Sequence, residues 1–384
     1  MRLGIHLSRL SQLPLFEGAI RIARRRGHRV WLLLDTHLAG GPKADQVPSS
    51  AQIPARFAAW AEFVSVTPDG LAGLISGLRV DWVLTGYAPH LAGWRPSRPT
   101  RLGFLQGAVT DLTGLDDPGR WDRVYAWSEQ WRTIWHQWTY RDDDQVRAMN
   151  RAFRPVGYPL GDHLRWTDPE EVRATFGLGG KPVVVLAPFP FHANTRSLWA
   201  DCVWGWPWPW IPTDRRFVTA VRGFCDRAGA SLVVKARAKV ITRAYVRGAA
   251  DRMIEEAESG EPSMLRLLAV SRLLIHACST SATEAAAAGT WAYCLSPSAR
   301  QWPAYAGRRR MPGLDPDPEM GPSLYHWPVL SLSCDPRQMI LLLKHSDLPI
   351  PPSEVSRAAY AATFFGGLPF RAGARIMDDL ETGG

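Results

Sequence analysis

Leu273–Gly289 (LLIHACSTSATEAAAAG) places an apolar run of strand character, Leu273–Ile275, before three small hydroxyls, Ser279, Thr280 and Ser281. A helix-forming run, Glu284 to Ala288, follows and stops at Gly289. Small hydroxyls and unpaired amides at the positive end of a helix dipole suit a phosphate or diphosphate. Ser281 and Glu284 also have the spacing of a capping box, so Glu284 either closes that cap or reaches toward a ligand. Positive charge comes from the stretch after Ser231–Lys235 (SLVVK), which reads as a strand leading into Ala236-Arg237-Ala238-Lys239. In a doubly wound sheet Lys235, Arg237 and Lys239 face the Ser279–Ser281 turn, where together they neutralise a diphosphate.

Proton-transfer candidates lie in the first half. Ligands collect outside the carboxyl ends of strands in open α/β sheets. That rule puts His90, Gln106, Thr110, Asp111 and Ser128 on the functional rim, with Ser128 also placed to cap the helix after it. His90, Asp111 and Glu17 are the candidates for a catalytic base, and none stands out. Trp204–Trp210 (WGWPWPW) alternates tryptophan with proline, which excludes a helix or a central strand. It reads as a stiff extended loop whose Trp206 and Trp208 stack on an acceptor sugar, rest on a membrane interface, or pack on their own domain.

These residues must be positioned by alternating strands and helices. Arg2–Leu7, a helix within Leu10–Gly27, and Val30–Leu34 open the chain as a βαβ unit. Val80–Thr85, Arg101–Gln106 and Arg123–Trp127 read as further strands; Trp131, Trp135 and Trp138 fall at helical spacing and read as core. Continuous apolar runs indicate parallel sheets covered on both faces. The first connection is not a GxGxxG loop, which counts against a dinucleotide cofactor there. A Pro- and Gly-bearing break at Pro155–Pro169 separates a second set of strands, Pro182–Ala187, Ser231–Lys235, Leu273–Ile275 and Trp291–Leu295. The expected organisation is a first α/β domain over residues 1–165, a second over 166–352, and terminal helices over 353–384 that return to the first.

Composition bounds the function. The 384 residues, 46% hydrophobic and 21% charged, suffice for two ordinary cores. A formal net charge of +9 fits anionic partners, yet no aromatic-basic nucleic-acid module is legible, so nucleic acid is not expected. Five widely spaced cysteines without a CxxC indicate neither a disulfide framework nor a zinc site. The opening residues lack a signal-like apolar region, and no run reaches about 18 apolar residues. The expectation is a cytoplasmic protein, with peripheral contact at the inner face of the membrane left open.

In this order the motifs resemble the GT-B glycosyltransferase superfamily, in particular the branch containing bacterial surface-polysaccharide transferases, CDP-glycerol glycerophosphotransferases and UDP-GlcNAc 2-epimerases. Val124–Glu129 with Gly157-Tyr158-Pro159, Val233-Val234-Lys235, Ile275–Gly289 and Phe364–Ile376 are similar to that branch's end-of-first-domain strand, VVK strand, phosphate turn and terminal segment. Gln106-Gly107 stands where the branch often has His-Gly, and Lys235-Ala236-Arg237-Ala238 where it has KPHP, so no histidine carries over at either place. The resemblance implies two Rossmann-like doubly wound domains facing across a cleft. It also implies metal-independent transfer of a sugar from a nucleoside-diphosphate donor to a glycan or lipid-linked acceptor, with no cofactor. On it, Lys235, Arg237, Ser279, Thr280, Ser281 and Glu284 bind the donor, Glu284 at the ribose, while Gln106, Trp206 and Trp208 line the acceptor side. Polyol-phosphate transfer, a 2-epimerase-like reaction, and a non-catalytic subunit binding a sugar nucleotide or glycan are the alternatives.

Overall fold

The computed structural model describes residues 1–37, 47–86, 94–97, 99–107, 117–138, 142–188, 210–236, 242–255, 261–276, 279–295 and 322–383. They form two compact units. The first holds Met1–Arg165, Glu258–Pro262 and Ala361–Gly384; the second holds Trp166–Ala257 and Ser263–Tyr360.

The first unit is built on a parallel seven-stranded sheet: β1 (Arg2–Leu7), β2 (Arg29–Asp35), β3 (Glu62–Val66), β4 (Trp82–Thr85), β5 (Arg101–Leu105), β6 (Arg123–Ala126) and β7 (Phe153–Pro155). Its order, β3-β2-β1-β4-β5-β6-β7, reverses direction between β1 and β4. Register sets His6 beside Leu33 of β2 and Thr85 of β4. Helices α1 (Leu13–Arg25), α2 (Leu71–Leu78), α3 (Gln130–Trp138) and α4 (Asp143–Ala152) make the connections. Period-2 alternation along β1 sends Leu3, Ile5 and Leu7 into a core with Phe16 and Ile20 of α1, while His6 faces the opposite side.

The second unit has a parallel six-stranded sheet: β8 (Val183–Leu186), β9 (Ser231–Lys235), β10 (Arg252–Ile254), β11 (Leu273–His276), β12 (Trp291–Leu295) and β13 (Ser331–Cys334). The order β10-β9-β8-β11-β12-β13 is again the Rossmann arrangement, with its reversal between β8 and β11. Its helices are α5 (Pro169–Phe176), α6 (Trp210–Arg227), α7 (Ala244–Ala249), α8 (Ser263–Ala269), α9 (Ser281–Ala288) and α10 (Pro336–His345). Each face has its own core. Leu186, Leu273 and Ile275 pack with Phe217 and Phe224 of α6. Val185, Val233, Leu274 and Ala292 pack with Val172 of α5, Leu267 of α8 and Ala285 of α9.

After α11 (Glu354–Phe365), helix α12 (Ala372–Thr382) lies against α1 in the first unit. Asp162 accepts from the Ala372 and Gly373 amides at 3.0 and 2.8 Å, fixing the amino end of α12. A side chain at Gly373 would overlap the Gly18 backbone, so this helix pair depends on glycine at the crossing.

The structure adds short strands that apolar runs do not announce. β3, β7, β10 and β13 are the four sheet edges. Trp131 and Trp135 are core residues, Trp131 packed beside Trp127 and Trp135 beside Trp131. The Trp138 side chain and Trp204–Trp208 lie outside the described residues. Ser128 does not act as a plain helix cap: its hydroxyl donates to the Thr363 carbonyl at 2.6 Å, because α11 offers an acceptor there.

Candidate functional site

Helix α9 opens beside the β8/β11 reversal, where doubly wound sheets bind ligands. Its start differs from a capping box. The N-cap, Thr280, has helical backbone (φ −58°, ψ −18°) and makes no side-chain cap. Ser279 performs that work instead: its hydroxyl accepts from the Ser281 amide at 3.3 Å and donates to the Ser281 hydroxyl at 3.1 Å. The turn tightens through Ala282 N to Ser279 O and Thr283 N to Thr280 O, both 3.0 Å. Thr280 is exposed, Ser279 half-buried and Ser281 buried, so Thr280 offers its hydroxyl outward while that of Ser279 is engaged with Ser281. Gly289 closes the helix in the left-handed region at φ 75°, as expected of a C-cap glycine.

Released from the cap, Glu284 has a different environment. Its side chain is part-buried, and desolvation pushes its pKa up to about 7 against the pull of Lys235. Lys235 ends β9 on the same sheet face as Val233, the face that carries α9. The α9 amino end, Lys235 and Glu284 thus share one edge of one sheet face. Cation and helix dipole favour an anion, and a carboxyl titrating near neutrality can accept from or donate to a hydroxyl. Arg237 and Lys239 lie outside the described residues.

His276, the last residue of β11, was not singled out in the sequence. It is 1% exposed, and its Nδ1 accepts from the Ser279 amide at 3.2 Å. The signal available was a histidine ending an otherwise apolar strand directly before the hydroxyl turn.

In the first unit the β1/β4 reversal carries a buried polar chain. His6 Nε2 is 2.7 Å from Asp35 Oδ2, and His6 Nδ1 is 3.0 Å from Thr85 Oγ1. The Asp35 Oδ1 accepts from the His37 amide at 2.8 Å and lies 3.3 Å from His37 Nδ1. His37 is 18% exposed, whereas His6 and Asp35 are enclosed. Gln106 ends up buried nearby in sequence order on β5's exit, its Oε1 accepting from the Trp127 amide at 3.2 Å and its Nε2 without a partner among the described residues.

Glu17 lies on α1, 1% exposed, 2.8 Å from Arg21 and 2.9 Å from Arg56. Burial would raise its pKa, but Arg56, with help from His163 and Arg21, outweighs this and lowers it. A carboxylate so held is a weak base and a strong anchor. His90 and Asp111, with Trp206 and Trp208, lie outside the described residues. Among the described residues no group of three or more His, Cys, Asp or Glu is arranged to hold a metal ion. No described helix is long and apolar enough to cross a membrane.

Two successive parallel sheets in Rossmann order define the GT-B-like α/β class. Known structures agree. The chain is similar to the wall teichoic acid polymerase TagF after a CDPG soak, with TM-score 0.61, 12% identity, and coverage of all of this chain and 88% of that one. It is similar to the UDP-GlcNAc 2-epimerase of Methanocaldococcus jannaschii, with TM-score 0.58, 10% identity and full coverage of both chains. It is also similar to a putative UDP-N-acetylglucosamine 2-epimerase of Listeria monocytogenes, with TM-score 0.55, 12% identity, and coverage of all of this chain and 96% of that one. No family model matches the sequence, and no curated protein matches it.

Proposed function

We propose that the chain is a glycosyltransferase that takes a sugar from a nucleoside-diphosphate donor held in its second unit and passes it to a glycan or lipid-linked hydroxyl, without a cofactor or metal. The observation that carries this reading is the convergence of the α9 amino end, Ser279, Thr280, Lys235 and Glu284 at the carboxyl edge of one sheet. An M. jannaschii epimerase with UDP-GlcNAc and UDP bound is among the similar structures, which supports a nucleotide donor for this chain.

In the transfer, the acceptor oxygen attacks the anomeric carbon and the bond from that carbon to the diphosphate oxygen breaks. The electron pair goes to the departing diphosphate, where the α9 amides, Lys235 and Arg237 stabilise the charge that develops. Glu284 hydrogen-bonds the donor ribose. The acceptor proton goes to a catalytic base. His90 and Asp111 are the candidates for it.

The likeness to TagF supports a second reading, transfer of a polyol phosphate. The acceptor then attacks phosphorus, and a nucleoside monophosphate leaves. Incubation with UDP-, GDP-, dTDP- and CDP-sugars and with CDP-glycerol, followed by product analysis, separates the readings. Nucleoside diphosphate release with glycosylated acceptor supports sugar transfer, CMP release supports polyol-phosphate transfer, and no stabilisation or turnover with any donor refutes both.

A further inference from the structure

The β11–α9 turn contains a donor that the proposed contacts leave unused. His276 Nδ1 accepts the Ser279 amide, so the neutral ring carries its proton on Nε2. That Nε2 has no hydrogen-bond partner among the described residues, although the side chain is 1% exposed. An unmade buried hydrogen bond is a cost that proteins rarely leave standing. The ring is placed by the strand: His276 shares a sheet face with Leu274, which packs with Ala285 of α9 in one cluster. Its Nδ1 edge meets Ser279, the first residue of the hydroxyl turn, so the ring lies directly against that turn. Tyr325 covers it from the side, with ring centroids 6.1 Å apart.

We infer that His276 is a donor-site residue with two separable tasks: Nδ1 holds the Ser279–Ser281 turn in shape, and Nε2–H donates to a phosphate oxygen of the bound nucleoside diphosphate. This rests on the reading of that turn as the diphosphate seat. The imidazole acts as a neutral donor, because burial pushes its pKa down to about 3. It adds directionality to a site whose charge comes from Lys235 and the helix dipole. A neutral donor also needs no counter-ion inside the core, which a buried imidazolium would require. Among the described residues, no acidic side chain is hydrogen-bonded or paired with it.

The two tasks are separated by substitution. In His276→Asn the amide oxygen can stand in for Nδ1 while the Nε2 donor is lost; in His276→Gln the amide N–H can stand in for Nε2 while the turn loses its acceptor. Binding of UDP, GDP and CDP is measured by calorimetry on the full chain, with thermal unfolding as the folding control. For whichever nucleotide binds the wild type, His276→Asn should keep the folded state and weaken binding roughly 10- to 100-fold, the loss expected for one charge-assisted hydrogen bond. His276→Gln should recover part of that loss. Wild-type affinity in a folded His276→Asn overturns the inference while leaving the seat intact, and a wild type that binds none of the three overturns the seat and the inference together. Long-range ¹⁵N NMR of the histidine rings in the wild type gives a readout that needs no variant. The His276 Nε2–H proton should move downfield on nucleotide addition, and an unmoved resonance at saturation overturns the inference.

Discussion

Replacing Glu284 with glutamine should stabilise the protein in a pH-dependent way. Burial raises the Glu284 carboxyl from its ordinary 4.5 to about 7. A carboxyl with a raised folded pKa contributes its full share of stability while protonated below about pH 4.5, and loses it as pH rises through about 7. At pH 5 the loss is under about 1 kcal/mol; by pH 8 it reaches roughly 3 kcal/mol, at about 1.4 kcal/mol per pH unit. Glutamine is nearly isosteric and neutral throughout, so it removes this penalty. Glu284→Gln should therefore gain roughly 2.5 kcal/mol over wild type between pH 5 and pH 8, a relative rise of about 5–10 °C in the unfolding midpoint of its unit. Calorimetric or fluorescence melts at both pH values, without nucleotide, measure it. A Glu284→Gln midpoint that tracks wild type by a constant offset at both pH values would show that the carboxyl is not held in the desolvated setting described.

Lys235→Ala removes the cation at this edge and should weaken nucleoside diphosphate binding tenfold or more, read by calorimetry; unchanged affinity removes Lys235 from the seat. Ser281→Ala combined with Lys235→Ala should bind at least as weakly as Lys235→Ala alone, and recovery of wild-type affinity in the folded double variant would contradict the placement of the turn. Asp162→Ala leaves the Ala372 and Gly373 amides buried without an acceptor and should cost about 1–3 kcal/mol, measured as a lower unfolding midpoint.

What was legible in the sequence follows from burial. The central strands β1, β2, β8, β9, β11 and β12 are buried on both faces and therefore read as continuous apolar runs. The edge strands carry no such run. Glu62–Val66 is mostly half-buried or exposed, and Ser331–Cys334 presents serines to one face, so pairing with a neighbour decides them. The hydroxyl turn and Lys235 were readable from residue type and spacing. The capping-box spacing misled because Ser279, two residues before Ser281, satisfies the Ser281 amide and leaves Glu284 to the interior. The His6–Asp35–Thr85 chain was not readable at all: it joins residues up to 79 positions apart, through a strand order that only the fold specifies.

The most direct test of the donor seat is the position of a bound nucleotide. A crystal structure of the protein saturated with the nucleoside diphosphate that binds it should place a phosphate about 2.7–3.2 Å from the first amides of α9 and the Ser279 or Thr280 hydroxyl. Lys235 should lie on the same side, with the ribose toward Glu284. A diphosphate bound away from the β11–α9 turn would contradict the account.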